Sequence, residues 1–254
     1  MFFSKLFKRA NSAQFEIVAS IPDGHRIYAI GDIHGRDDLL EQLLDQIASD
    51  DMSRPHVHTT LVFLGDLVDR GADTRGVVSR LMALEKSAIS TVFLKGNHEE
   101  LLLRVCEGDE KVAAAFSRVG GRETLLSYGV SEQDYDRCEI KDIPALAAEY
   151  VPQAHRDFLN SFIPRWRAGD YLFVHAGITP GVAIEDQNDT DMRWIREQFT
   201  QSEADHGVMV VHGHTVTDDI DEQFNRIGID TGAYASGKLS AIGLEGDQRW
   251  YLST

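Results

Sequence analysis

Cysteine is nearly absent. Only Cys106 and Cys138 occur in 254 residues, neither in a CxxC pair nor beside a ligand-like histidine. That scarcity gives no reason to expect a disulfide framework; it fits two free thiols in a reducing, cytoplasmic compartment. A thiolate-rich structural zinc site is excluded for the same reason. No apolar run approaches the length of a membrane span. Basic residues are outnumbered, 25 Lys and Arg against 41 Asp and Glu, for a net charge of −16. Such a chain repels nucleic acid, which is held mainly by basic side chains neutralising phosphates. There is no internal repeat and no low-complexity stretch. What remains is a hydrophobic content of 43%, ordinary for a globular protein.

Residues 1–24 read as an N-terminal leader, poorly ordered or loosely docked. Phe2, Phe3, Leu6 and Phe7 stand among Lys5, Lys8 and Arg9. This is too short for a secretory signal and lacks its cleavage site. A basic amphipathic turn of this kind could touch a membrane surface. Residues 25–254 read as one domain. Strand Ile27–Ile30 precedes a helix over Asp37–Ser49 with Leu39, Leu40, Leu43, Leu44 and Ile47 on one face. Strand Thr60–Leu64, a helix bearing Val77, Val78, Leu81, Met82 and Leu84, and strand Ser90–Leu94 follow. That alternation predicts an α/β fold with parallel pairing. From about 100 to 166 the chain reads as a helical insertion, with helices at Leu101–Val105, Val112–Phe116 and Glu149–Ile163. Strands return at Tyr171–Val174, Val208–Val211, Arg226–Ile229, Leu239–Leu244 and Trp250–Leu252, with turns that suggest an antiparallel half.

Three strings end apolar runs with residues that bind metals or carry protons: GDIHG at Gly31–Gly35, GDLVDRG at Gly65–Gly71 and GNHE at Gly96–Glu99. In open α/β sheets, ligands collect beyond the carboxyl ends of strands. Asp32, His34, Asp66, Asn97, His175 and His214 all lie just after such strands, at what could be one rim. Asp32 and His34, two apart, can face one point. Asp66 has two oxygens with which to bridge two cations, and Asn97, His175 and His214 would complete the second ion. Mixed oxygen and nitrogen donors suit manganese, iron or zinc. His212 reads as a core residue or a neighbour of the ligands, and His25, His56, His58, His155 and His206 as surface.

These motifs, together with HAG after Val174 and GHT at Gly213–Thr215, resemble the phosphoprotein-phosphatase branch of the metallophosphoesterase family. The bacterial and phage serine/threonine protein phosphatases look most similar, through Trp194-Ile195-Arg196 and Ile229-Asp230-Thr231-Gly232-Ala233. The resemblance runs from about Arg26 to Gly246. It implies a four-layer α/β/β/α sandwich, a central β-sandwich flanked by helices. It implies two divalent metal ions, manganese foremost: Asp32 and His34 on the first, Asp66 bridging, and Asn97, His175 and His214 on the second. Arg70 and Arg196 would hold phosphate oxygens. His98 would protonate the leaving group, oriented by Asp69. The physics agrees. Two cations about 3.5–4 Å apart can share a hydroxide and stabilise in-line displacement at phosphorus. Arg supplies planar bidentate donors to phosphoryl oxygens. A His held by a carboxylate is a ready proton donor. Local positive charge of this kind is needed, because the chain's net charge repels phosphorylated ligands at long range.

The expected activity is therefore metal-dependent hydrolysis of phosphomonoesters, phosphoserine and phosphothreonine in proteins first, small phosphoesters also. The alternative is a diadenosine-tetraphosphatase-like hydrolase cutting a phosphoanhydride; that group tends to carry an aromatic where this chain has Thr215. A metal-free binding scaffold would require a gap in the ligand set, and there is none. Two departures stand out. Lys95 precedes GNHE where the family often has Arg, and Val216 replaces the second His of a GHxH motif.

Overall fold

The computed structural model describes residues 19–254. Met1–Val18, and with it the expected membrane-surface turn, lies outside the described residues. Within the rest of the leader, Ala19 and Ile21 are buried. The Ile21 N–H donates to Gly246 O at 2.9 Å, and the Asp170 N–H donates to Ser20 O at 2.9 Å.

Strand β1 (His25–Ile30) leads through helix α1 (Asp37–Ser53) to β2 (His58–Phe63), then through α2 (Thr74–Glu85) to β3 (Ser90–Phe93). The three strands are parallel, as the strand–helix alternation predicts. Helix α1 buries Leu39, Leu40, Leu43 and Ile47 on the expected face. Asp73 caps α2, its side chain accepting from the Gly76 N–H at 2.7 Å.

The insertion is helical: α3 (Asn97–Cys106), α4 (Glu110–Phe116), a wide turn over Ser117–Gly121, α5 (Arg122–Ser127), α6 (Glu132–Arg137), α7 (Ile143–Tyr150) and α8 (Gln153–Asn160). The single helix expected over Glu149–Ile163 is two, because Pro152 cannot continue the first. The insertion also ends earlier than 166. Arg165–Ala168 forms strand β4, antiparallel to β5 (Tyr171–Val174). Helices α9 (Asp189–Trp194) and α10 (Glu197–Thr200) follow, then β6 (Met209–His212), the short β7 (Asp221–Glu222), β8 (Arg226–Gly228), α11 (Ala233–Ser236), β9 (Ser240–Glu245) and β10 (Gln248–Ser253).

Two five-stranded sheets result, ordered β10-β9-β1-β2-β3 and β4-β5-β6-β8-β7. The expected antiparallel half is only partial: β9 and β10 are antiparallel, whereas β8 runs parallel to β6. Side-chain alternation along the strands separates the layers. Ile27, Ala29, Val62 and Leu64 point inward to meet Tyr171, Phe173, Val211 and Ile227 of the facing sheet. Tyr28, Ile30, Leu61 and Phe63 point outward, under α1, α2 and the insertion. Leu172, Val174 and Val210 point the other way, against Met192, Ile195 and Phe199. This is the four-layer α/β/β/α sandwich. The carboxyl ends of β1, β2, β3, β5 and β6 all open on one edge. No helix among the described residues is long and apolar enough to cross a membrane.

Candidate metal centre

Asp66 sits at the middle of that edge, and its two carboxylate oxygens face different histidines. Oδ1 lies 3.4 Å from His175 Nε2. Oδ2 lies 3.7 Å from His34 Nε2 and 3.8 Å from His98 Nε2. Two donor triads therefore share one residue: His34, Asp66 and His98, and Asp66, His175 and His214, all buried, with donor atoms within 4.8 Å of one another in each. Asn97 joins the second through Oδ1, 3.0 Å from His175 Nε2. His175 Nε2 is also 3.2 Å from His214 Nδ1.

The rings are aimed by backbone carbonyls. His34 Nδ1 lies 2.8 Å from Val68 O, and His175 Nδ1 lies 2.9 Å from Leu64 O. A carbonyl only accepts, so in each ring Nδ1 carries a proton and Nε2 is the atom turned toward the centre. Burial, with the charges of His98 and Arg70, pushes His34 down to about 3. Burial, with His175 and Arg196, pushes His214 down to about 2. Both imidazoles are thus neutral and ready to ligate near neutral pH.

The backbone is bent to make this arrangement. Among the described residues, the only non-glycines with positive φ are His34, Asp66, Asp69, Arg70 and His214. Each such residue costs about 1–3 kcal/mol, a cost concentrated at this edge. Close approach is needed too: a Cβ on Gly213 would lie 2.0 Å from Asp32 Oδ1.

Asp32 is placed beside the triads rather than within them. Its Oδ2 accepts from the His214 N–H at 3.0 Å. Its Oδ1 is buried without a hydrogen-bond partner among the described residues, as are His214 Nε2 and Thr215 Oγ1. Burial, then the charges of Asp230 and Asp66, raise the Asp32 carboxyl well above its ordinary value. Burial and Asp66 raise Glu99 likewise. A buried carboxylate oxygen without a donor on Asp32, crowded by Asp66 and set near neutral imidazole nitrogens, is part of a donor set for divalent cations. The residues present fit a dinuclear metal-binding site.

His98 and Asp69 meet at 2.7 Å, Nδ1 to Oδ2. Burial lowers the imidazole's proton affinity, but Asp66 and Asp69 outweigh it, so His98 is raised. Arg70 Nη2 lies 3.3 Å from His98 Nε2. Arg196 lies exposed at the start of α10. Lys95 points away: its Nζ donates to Asn160 Oδ1 at 3.1 Å. His212 lies outside the donor set, 3.4 Å from Arg226 and pushed down to about 4, chiefly by burial. His155, expected at the surface, is half-buried, its Nδ1 2.9 Å from the Tyr128 hydroxyl.

Sequence reasoning missed three contributors. Glu99 accepts backbone N–H groups from Asp66 at 2.9 Å, Leu67 at 2.7 Å and Gly96 at 2.9 Å, tying the second motif to the third. Its place in GNHE was the available signal. Thr124 donates to Asp69 Oδ1 at 2.7 Å, and Tyr234 places its ring 5.5 Å from that of His34. No motif marks either.

The model of the calcineurin-like phosphoesterases matches residues 25–238. The chain belongs to that family. Its two donor triads are of the kind that hold a dinuclear metal site. Among relatives of this phosphoesterase chain, a symmetrical bis(5'-nucleosyl)-tetraphosphatase of Dechloromonas aromatica (strain RCB) is 31% identical over 153 residues, 60% of this chain and 44% of that protein. The chain spans about half the length of the curated relatives it matches first. Serine/threonine-protein phosphatase 2 of Escherichia coli (strain K12) is 27% identical, covering 84% and 90% of the two chains. A solved structure described as a proposed diadenosine tetraphosphatase superposes with a TM-score of 0.62 at 23% identity, covering 92% of this chain and 98% of that one. It shows the shared fold.

These matches correct the branch. The motifs resemble the phosphoprotein phosphatases, yet symmetrical tetraphosphatases recur among the relatives at 31–36% identity. The physical reason is that GDIHG, GDLVDRG and GNHE carry metal and phosphoryl chemistry. A phosphomonoester and a phosphoanhydride both present phosphoryl oxygens to such a centre, so the strings do not separate the branches. Thr215 in place of an aromatic does not separate them either.

Proposed function

We propose that this chain is a metal-dependent hydrolase of nucleotide phosphoanhydrides, with dinucleoside tetraphosphates as its substrate class. The observation carrying the chemistry is the pair of donor triads sharing Asp66, with Arg70 and Asp69 set against the His98 of one triad. The substrate class is supported by the recurring tetraphosphatase relatives.

Asp32, His34, Asp66, Asn97, His175 and His214 would hold the two ions. Bound divalent ions supply Lewis-acid charge and a water-derived nucleophile at neutral pH. The remaining roles belong to the chain. Arg70 and Arg196 bind and orient the non-bridging phosphoryl oxygens. Burial of the centre excludes bulk water and strengthens each of these contacts. Hydrolysis replaces the P–O bond to the leaving phosphate with a bond to water's oxygen. The leaving oxygen then needs a proton, and His98 would deliver it from Nε2 while Asp69 fixes the ring through Nδ1. A leaving phosphate is far less basic than a serine alkoxide, so anhydride cleavage leans less on His98 than ester cleavage does.

The test is a side-by-side assay of the metal-replete chain on diadenosine tetraphosphate and a phosphoserine peptide. At least a tenfold higher kcat/KM on the dinucleotide is expected. A preference for the phosphopeptide overturns the substrate assignment and leaves a phosphoesterase. No turnover of either substrate, with two ions bound per chain, overturns the catalytic reading itself.

A further inference from the structure

Arg70 is the arginine nearest the acid dyad, yet among the described residues it takes part in no ion pair. Its guanidinium carbon lies 4.5 Å from the centre of the Tyr234 ring. We propose that Tyr234 is a positioning residue for Arg70, holding the guanidinium by its face so that no carboxylate occupies the N–H donors it would turn to phosphate.

The physics distinguishes a ring from a carboxylate here. A carboxylate would fix Arg70 by occupying two of its donors and cancelling its charge. An aromatic face attracts the cation and uses none of those donors. The rest of the arrangement keeps the pair in register. Arg70 has φ of 68° and donates its backbone N–H to Gly120 O at 3.1 Å. The insertion lies flush against it there, since a Cβ on Gly120 would come within 2.5 Å of Arg70 N and 2.8 Å of Arg70 Cγ. Gly120 itself has φ of 105°, which a larger residue rarely adopts.

On the other side, the loop bearing Tyr234 is pinned at several points. Asp230 Oδ1 accepts from the Gly232 N–H at 2.9 Å. Arg36 Nη1 donates to Ala233 O at 2.9 Å, and Ser236 Oγ donates to Thr231 O at 2.7 Å. Tyr234 is nonetheless 39% exposed, so it is not a core residue kept for packing. One segment grips the Arg70 backbone and another its guanidinium, and between them Nη2 is left beside His98.

This inference rests on the reading of Arg70 as a phosphate ligand, and the test separates the two. Inhibition of the metal-loaded chain by inorganic phosphate is measured, with KM, kcat and metal content, for Arg70→Ala, Tyr234→Leu, Tyr234→Phe and the Arg70→Ala/Tyr234→Leu double variant. Tyr234→Leu is expected to weaken phosphate inhibition about three- to thirtyfold, the scale of one lost cation–π contact. Tyr234→Phe, which keeps the ring, is expected within about twofold of the parent. In the Arg70→Ala background, Tyr234→Leu is expected to add nothing. Unchanged phosphate inhibition in Tyr234→Leu overturns the proposal, as does equal loss in Tyr234→Phe or full additivity in the double variant. Loss of bound metal in Tyr234→Leu also overturns it, because the ring would then act through His34. No effect of Arg70→Ala would instead remove the reading of Arg70 itself.

Discussion

Thr124 and Asp69 are joined twice: the Thr124 hydroxyl donates to Asp69 Oδ1 at 2.7 Å and accepts from the Asp69 N–H at 2.9 Å. Thr124 belongs to the helical insertion, and Asp69 holds His98. This hydroxyl ties α5 to the carboxylate that orients His98. Thr124→Val keeps the shape and removes both bonds, leaving a fully buried carboxylate oxygen without its donor. A fall in kcat of about tenfold is expected with metal content unchanged, and Thr124→Ser should restore most of it. Steady-state kinetics with metal analysis checks this.

Asp66→Asn tests the shared ligand. Each Asp66 oxygen faces a different triad, so a neutral amide weakens both at once. Fewer than two ions per chain after repletion is expected, with turnover abolished. Elemental analysis of the dialysed variant beside the parent decides it.

His98→Ala separates two uses of one imidazole. His98 Nε2 belongs to a donor triad, and its Nδ1 is engaged by Asp69. As a proton donor, its loss costs about 10²–10⁴-fold on a substrate with a basic leaving group. The cost should be much smaller on an aryl phosphate, and intermediate on a phosphoanhydride. Both ions are expected to remain bound. Loss of one ion, with equal slowing of every substrate, would make His98 a ligand instead.

Much of the centre could be read in the sequence because its donors sit in contiguous strings at strand ends, where topology places them on one rim. The strand order carries Asp32, His34, Asp66, Asn97, His175 and His214 toward that rim, where Asp32 lies beside the donor triads and His98 stands in one of them. Gly120, Thr124 and Tyr234 were not legible. Their partners lie 50 or more residues away in the chain, and only packing brings them together. Strand β4 was missed because Arg165-Trp166-Arg167 reads as the end of a helical stretch; it becomes a strand only by pairing with β5. The break between α7 and α8 falls at Pro152, a residue that itself marks a helix boundary. The substrate branch was hidden for a chemical reason: the strings describe what the metals need, not what leaves.

The last prediction concerns stability rather than catalysis. Asp50, near the end of α1, gathers four donors: the Tyr28 hydroxyl at 2.6 Å, Trp250 Nε1 at 2.9 Å, and Arg54 Nε and Nη2 at 2.9 and 3.2 Å. Burial pushes its carboxyl up, but the bonds from Arg54, Tyr28 and Trp250 outweigh burial and hold it below the ordinary value. A carboxyl lowered on folding stabilises the native state fully above its unfolded pKa of about 3.9. That contribution is lost as pH falls through the lower, folded value. Asp50→Asn should therefore lower Tm by about 2–4 °C at pH 7. The gap to the parent should begin to narrow as pH falls below about 4 and close only once pH has passed the lower, folded value, where the parent's carboxyl also becomes neutral. Thermal melts from pH 7 down to pH 3 check this, and a gap that stays constant across that range would remove Asp50 from the acid-sensitive groups of the fold.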